Sequence, residues 1–214
     1  MGKMRPFVFI LAVCGASLFI VSYLNLRILT EKDFAERRAA QKAQAELYEY
    51  QNTLDLINKY QKKYFEIVKR NDLLLLHESN DVIKKDEKQL SELYDEVKGK
   101  INPENPYYKK YNEISKQYET NPGQSTVEMN QFASEEYKAK DDLLNEVYQS
   151  VISILPDNDV SALRENEQKW LDEVEEYNKH FEAQDYGTIG YLVKSGYECD
   201  MRSFRTLLLM LYLN

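Results

Sequence analysis

The chain has 214 residues, 30% of them charged, with seven glycines and five prolines. That length can bury a core, the low Gly and Pro content argues against a turn-rich β protein, and the charge content argues against a polytopic membrane protein. Two cysteines exclude a dense disulfide framework, two histidines leave little for a His-rich metal site, and a net charge of -8 argues against a phosphate-binding surface.

The amino-terminal stretch carries Lys3 and Arg5 and then an uncharged run of 21 residues, Pro6 to Leu26. As a helix it spans roughly 30 Å, the thickness of a bilayer hydrocarbon core. It therefore reads as a single transmembrane anchor over residues 1–29. A cleaved secretory signal ending near Gly15-Ala16-Ser17 and a lipoprotein signal at Leu11-Ala12-Val13-Cys14 are the alternatives. Five basic residues follow the run (Arg27, Lys32, Arg37, Arg38 and Lys42), and by the positive-inside rule they favour a cytoplasmic carboxyl-terminal side.

Everything beyond residue 30 has helical character. From Glu31 to Leu76 the chain is rich in strong helix formers. Leu47, Tyr50, Leu54, Ile57, Tyr64, Val68 and Leu75 follow a heptad seam, with Gln61 and Asn71 in the gaps. Either a coiled coil or an amphipathic helix docked on another helix satisfies that pattern. His77 to Asp81 is a break, after which Ile83, Leu90, Leu93, Tyr94, Val97 and Ile101 form the stripe of a second helix. Two such helices joined by a short link fold back as an antiparallel hairpin. Charges over residues 31–105 nearly cancel, 14 basic against 16 acidic, as on a solvated surface.

Asn102-Pro103-Glu104-Asn105-Pro106 is the strongest break in the chain and suggests a domain boundary. A short helix with Tyr107, Tyr111, Ile114 and Tyr118 follows, then a turn at Asn121-Pro122-Gly123. Ser125 or Thr126 caps a helix to Leu155, whose face is Met129, Phe132, Leu144, Val147, Tyr148, Val151 and Leu155. Ser161 is expected to cap the next helix, to about Ala183, which carries Leu163, Trp170, Leu171, Val174 and Phe181. A loop at Tyr186 to Gly190 precedes the last helix, from about Leu192. The expected architecture is all-α: a transmembrane helix (1–29), a helical hairpin or stalk (30–105) and a small helical bundle (106–214).

No catalytic constellation emerges. Glu176 and His180 lie at i, i+4, but neither histidine is preceded by the Glu-x-x spacing of di-iron bundles, and H-E-x-x-H is absent. Cys199 with His180 lacks an orienting motif for thiol chemistry. No glycine-rich phosphate loop is present. No catalytic residue, metal or cofactor is assigned. Residues 157–186 hold ten acidic against three basic side chains. Asp172, Glu173, Glu175, Glu176 and Glu182 crowd one helix, as a solvated face or as a docking surface for a basic protein.

The second half carries a recognisable pattern. Thr126 precedes Met129-Asn130-Gln131-Phe132-Ala133, then Asp141, Leu144-Asn145 and Tyr148. Leu163, Gln168 and Trp170 follow, and Cys199, Arg205 and Leu208 close it. This stretch, about residues 117–210, resembles the lysozyme inhibitor LprI-like N-terminal domain family. The resemblance implies an all-α, extracytoplasmic, non-enzymatic domain. Phe132 stands where the family has its first cysteine, and Val174-Glu175 and Asn178 replace a family Arg-Asp and a later cysteine. The family disulfide is thus missing, and Cys199 is expected as a small core residue. Met129, Asn130, Asp141, Leu144, Asn145, Tyr148, Gln168, Trp170, Cys199 and Arg205 are expected to be structural, with Trp170 as core anchor and Asn145 bonding across the bundle.

The expected function is a membrane-anchored, extracytoplasmic protein-binding domain that inhibits a lysozyme or another cell-wall hydrolase through the acidic surface from Asp172 to Glu182. The alternative is a scaffold protein of the cell envelope that self-associates through residues 31–101.

Overall fold

A computed structural model of the chain describes residues 6–75, 80–119, 125–182 and 190–214. They form six α-helices: α1 Pro6–Leu75, α2 Asn80–Lys98, α3 Pro106–Tyr118, α4 Thr126–Ile154, α5 Asp157–Glu182 and α6 Gly190–Met210. A 3-10 turn, Leu211–Leu213, follows α6. Among the described residues there is no strand. The expected breaks or turns at His77, Asn121 and Tyr186 fall outside the described residues.

The chain divides into two compact units, Met1–Tyr48 and Glu49–Asn214. In the first, every described side chain from Glu31 to Tyr48 is exposed. Arg27–Glu31, Lys32–Glu36, Asp33–Arg37 and Lys42–Glu46 are ion pairs one helical turn apart. Such pairs contribute only about 0.2–0.5 kcal/mol each. Among the described residues no helix is long and apolar enough to cross a membrane. The run Pro6 to Leu26 lies within α1, but its side chains, which carry the anchor expectation, fall outside the described residues.

The second unit begins with the hairpin. Tyr60 donates to Glu96 on α2, and Arg70 donates to Asp86 at 2.9 and 3.0 Å and to Gln89 at 2.8 Å. As the α1 number rises from 60 to 70, its partner number falls from 96 to 86, so the two helices run antiparallel. Ile57, Tyr64 and Val68 of the seam are buried, as are Leu93, Val97 and Ile101 of the α2 stripe. This part of the seam is buried within the chain as the face of a docked amphipathic helix, while Leu47 is exposed and Tyr50 and Leu54 are half-buried.

The remaining face of the hairpin packs on α6. Tyr64 stacks on Phe204 with ring centroids 4.5 Å apart, and Tyr94 meets Phe204 edge-on at 4.9 Å. The Tyr94 hydroxyl donates to the carbonyl of Asp200. From Ser203 to Tyr212 every residue is buried. A helix hydrophobic on all sides belongs in the middle of a bundle, and α6 occupies that place. Leu143, Leu144, Val147 and Val151 of α4 and Leu163 and Trp170 of α5 belong to the same core cluster.

The expected boundary at 105/106 is accordingly not where the structure divides; one core takes in both the hairpin and the later helices. The turn between α2 and α3 is a clasp. Asn105, 4% exposed, accepts from the backbone N–H groups of Tyr107 and Tyr108 as N-cap of α3 and donates to the carbonyl of Leu213. Asn214 accepts from the Asn102 N–H and donates to the Lys100 carbonyl, both at 2.8 Å. The residues that looked like linker punctuation bond to the other end of the unit.

Three other local expectations are decided: one choice is resolved and two are corrected. Ser125, not Thr126, caps α4, in a capping box with Glu128. Ser161 is not a cap, because α5 starts at Asp157 and the Ser161 hydroxyl donates back to the Asp157 carbonyl. Leu171, placed on the apolar face by spacing, is exposed.

Replacing Asn105 by alanine is expected to destabilise the unit by about 1–2 kcal/mol, since a cap and a long-range bond go together; urea denaturation reads the loss. Alkali gives a second check. Burial pushes the Tyr64 and Tyr94 hydroxyls well above the ordinary phenol range, and burial with the neighbouring Glu96 pushes Tyr60 up to about 12. A folded-state pKa above the unfolded one stabilises below the unfolded value, near 10, and that stabilisation is lost as pH rises past it. Stability should therefore fall steeply above pH 10, and phenolate absorbance should develop together with loss of helical circular dichroism.

Candidate partner-binding site

Three arrangements of polar side chains organise the family-like part of the chain. The deepest is Arg205, 1% exposed, in the middle of α6. Its guanidinium donates to Glu167 of α5 at 2.6 and 3.1 Å and to Gln61 of α1 at 2.9 Å. It lies 5.8 Å from the centre of the Trp170 ring, within cation–π range. An arginine stays charged in any protein setting, so burial obliges the fold to supply its partners. Gln61, a polar gap in the heptad seam, is one of them.

The second is Arg202, one turn earlier. It donates to Asp141 of α4 at 2.9 Å and to the Glu198 carbonyl at 3.2 Å. It also bonds the Tyr137 hydroxyl and lies 4.1 Å from the centre of that ring. This explains Asp141 of the sequence pattern: it ties α4 to α6. Asn145, expected to bond across the bundle, is exposed and donates to the carbonyl and carboxylate of Asp141 on its own helix. Its hydrogen bonds therefore stay within α4 and reach α6 only through the Asp141 carboxylate that Arg202 also binds.

The remaining pattern residues fall into place around these. Leu144, Trp170 and Cys199 are buried, Tyr148 is half-buried against the core, and Asn130 and Met129 are half-buried. Gln168 is exposed and donates to Asp172 at 2.8 Å. Cys199 is a free thiol that burial pushes up to about 11, so little of it is thiolate at neutral pH.

The third arrangement involves the acidic helix. Lys69 of α1 sits 2.7 Å from Glu173 and 3.4 Å from Glu176, and Lys179 pairs with Glu175. Its bonds to those two carboxylates raise the Lys69 ammonium above the usual lysine range. Glu182 lies outside the described side chains. The crowd of acids read from the sequence is thus partly neutralised by a lysine more than a hundred residues away. Exposed Asp157, Glu165 and Asp172 have no ion pair among the described residues. A groove of about 630 Å3 between α1 and α5 carries both signs of charge, Lys62, Lys69 and Lys169 against Glu66, Asp172, Glu173 and Glu176.

A smaller groove of about 320 Å3 opens at the other end of α4 and α6. Tyr118 and Glu119 from the end of α3, Met129 and Phe132 from α4, and Leu192 and Gly196 from α6 line it. The Tyr118 and Phe132 rings meet edge-on at 5.2 Å. Phe132, standing at a cysteine position of the family pattern, thus contributes an aromatic wall.

Among the described residues no group of three or more His, Cys, Asp or Glu converges as metal ligands. The fold and its grooves define an all-α domain whose polar groups mostly join helices to one another and whose concave surfaces lie between helices. Residues 117–207 match the family model described as "Lysozyme inhibitor LprI", and that segment is similar to it. The match takes in the end of α3 through nearly all of α6, including Asp141, Arg202, Trp170 and Arg205. No curated protein and no solved structure gives a significant match to the chain.

Replacing Glu167 by leucine leaves the Arg205 charge buried with only Gln61 for company. A loss of about 3–5 kcal/mol is expected. Adding Arg205→Met on the Glu167→Leu background should recover most of it, because an apolar pair of similar size needs no partner. Denaturant midpoints of the two variants check both halves of the statement.

Proposed function

We propose that the chain is a membrane-anchored, extracytoplasmic binder of a basic protein, a lysozyme or another cell-wall hydrolase, and that it acts by occlusion rather than by chemistry. The observation that carries this reading is the match of residues 117–207 to a lysozyme inhibitor family. The chain's net charge of -8 supports it, because a field of one sign speeds and orients encounter with a partner of the other. The uncharged run from Pro6 to Leu26 supports the anchor, which would hold the domain where such enzymes work.

On this reading the acidic side of α5 faces the enzyme. Asp172 and Glu175 meet solvent there, while Glu173 and Glu176 share Lys69. Electrostatic attraction of this kind governs association more than final affinity.

The full chain in a nonionic detergent should slow lysis of bacterial cells by a basic lysozyme at micromolar concentration in low salt. The slowing should fade toward 1 M salt, where the screening length falls to about 3 Å. Unchanged lysis at micromolar chain in low salt would overturn the inhibitor reading.

A further inference from the structure

We propose that the groove at the start of α6 receives a cationic side chain, an arginine or lysine, presented by the basic protein partner. The inference rests on the reading of the chain as a binder of such a protein and names a second point of contact, separate from the acidic side of α5.

The groove has the chemistry of a long basic side chain in reverse. Its walls are apolar, with Met129, Phe132 and Leu192 available to the methylene stem. Its aromatic corner, Tyr118 edge-on against Phe132, puts two rings on the lining, the kind of side chain that attracts a cation. Its acidic members are Glu119 and Glu136, and no basic side chain lines it. Glu136 is already held by Lys140 at 2.6 Å. Glu119 is exposed and has no ion pair among the described residues, so it is the carboxylate open to a newcomer. The local field is negative: after burial, Glu135 and Glu136 are the strongest influences raising the Tyr118 hydroxyl above the phenol range.

A second, independent observation is Gly196. It lies in the interior of α6, where glycine is less favourable than alanine by about 0.8–1.0 kcal/mol. Packing does not require it there, because an added Cβ meets nothing within 4 Å. Gly196 is exposed on the groove lining, and a longer side chain built there would project into open space beside Phe132 and Leu192.

Three variants of the full chain in nonionic detergent test the assignment, with a basic lysozyme and an octa-arginine peptide as titrants. Gly196→Leu fills the groove without changing charge. Glu119→Lys reverses the rim. The double variant Asp172→Lys/Glu175→Lys alters α5 instead. Gly196→Ala should fold with an unchanged or higher melting temperature, a rise of about 2–4 °C at most, and Gly196→Leu should show no loss of helical signal.

Both groove variants are expected to weaken binding of each titrant at least tenfold, whereas the α5 variant leaves octa-arginine binding within twofold. Lysozyme binding that ignores the groove variants but is lost in the α5 variant overturns the groove and leaves the inhibitor reading standing. Groove-dependent binding of octa-arginine without any lysozyme binding supports the groove and overturns lysozyme as partner. Binding of neither titrant overturns both.

Discussion

A guanidinium buried in the middle of the last long helix sets the terms for the bundle. Arg205 cannot shed its charge, and α6 offers it no carboxylate within reach. Glu167 must therefore come from α5 and Gln61 from α1, and the Trp170 ring must lie alongside. Three helices distant in sequence are brought to one point by the requirements of one side chain. A hydrophobic core alone tolerates many arrangements of similar volume; a buried charge with directional partners admits few. Arg202 and Asp141 repeat the device nearer the surface, joining α6 to α4.

The arrangement also accounts for a bundle that holds together with no disulfide among the described residues. Cys199 is free, and Phe132 occupies another cysteine position. Where a covalent bridge would restrict the unfolded chain, this bundle relies on native contacts: the Arg205 and Arg202 links, the Tyr64–Phe204 stack and the clasp of Asn105 and Asn214 around the 3-10 turn. These act on the folded state only, so they are insensitive to reducing conditions.

Much of the helical content was legible because the physics behind it is local. Apolar spacing marked Ile57, Tyr64, Val68, Leu93 and Val97 as inward-facing, and a side-chain cap marked the start of α4. What escaped is non-local. Asn102 to Pro106 breaks a helix whether it is linker or clasp, and only the bonds to residues 213 and 214 distinguish the two. Gln61 looked like a flaw in a seam because its partner is 144 positions away. The acids of α5 looked like a bare patch because Lys69 is on another helix. Of the candidate site, the family pattern was legible, but its working partners Gln61, Glu167 and Arg202 were not, since charged or amide residues on a helix read as solvated until a neighbour is known. The groove at Gly196 carried one signal that was available, a glycine inside a helical run.

The position of α6 bears on how the chain comes to be folded. A ribosome makes the helices in numerical order, so the one that every other helix of Glu49–Asn214 leans on is made last. Until residue 212 has emerged, Tyr64, Tyr94, Leu144 and Leu163 lack the α6 surface they share, although the bonds of the α1–α2 hairpin can already form. Contacts that span more than a hundred residues make the final step slow to nucleate and abrupt once begun.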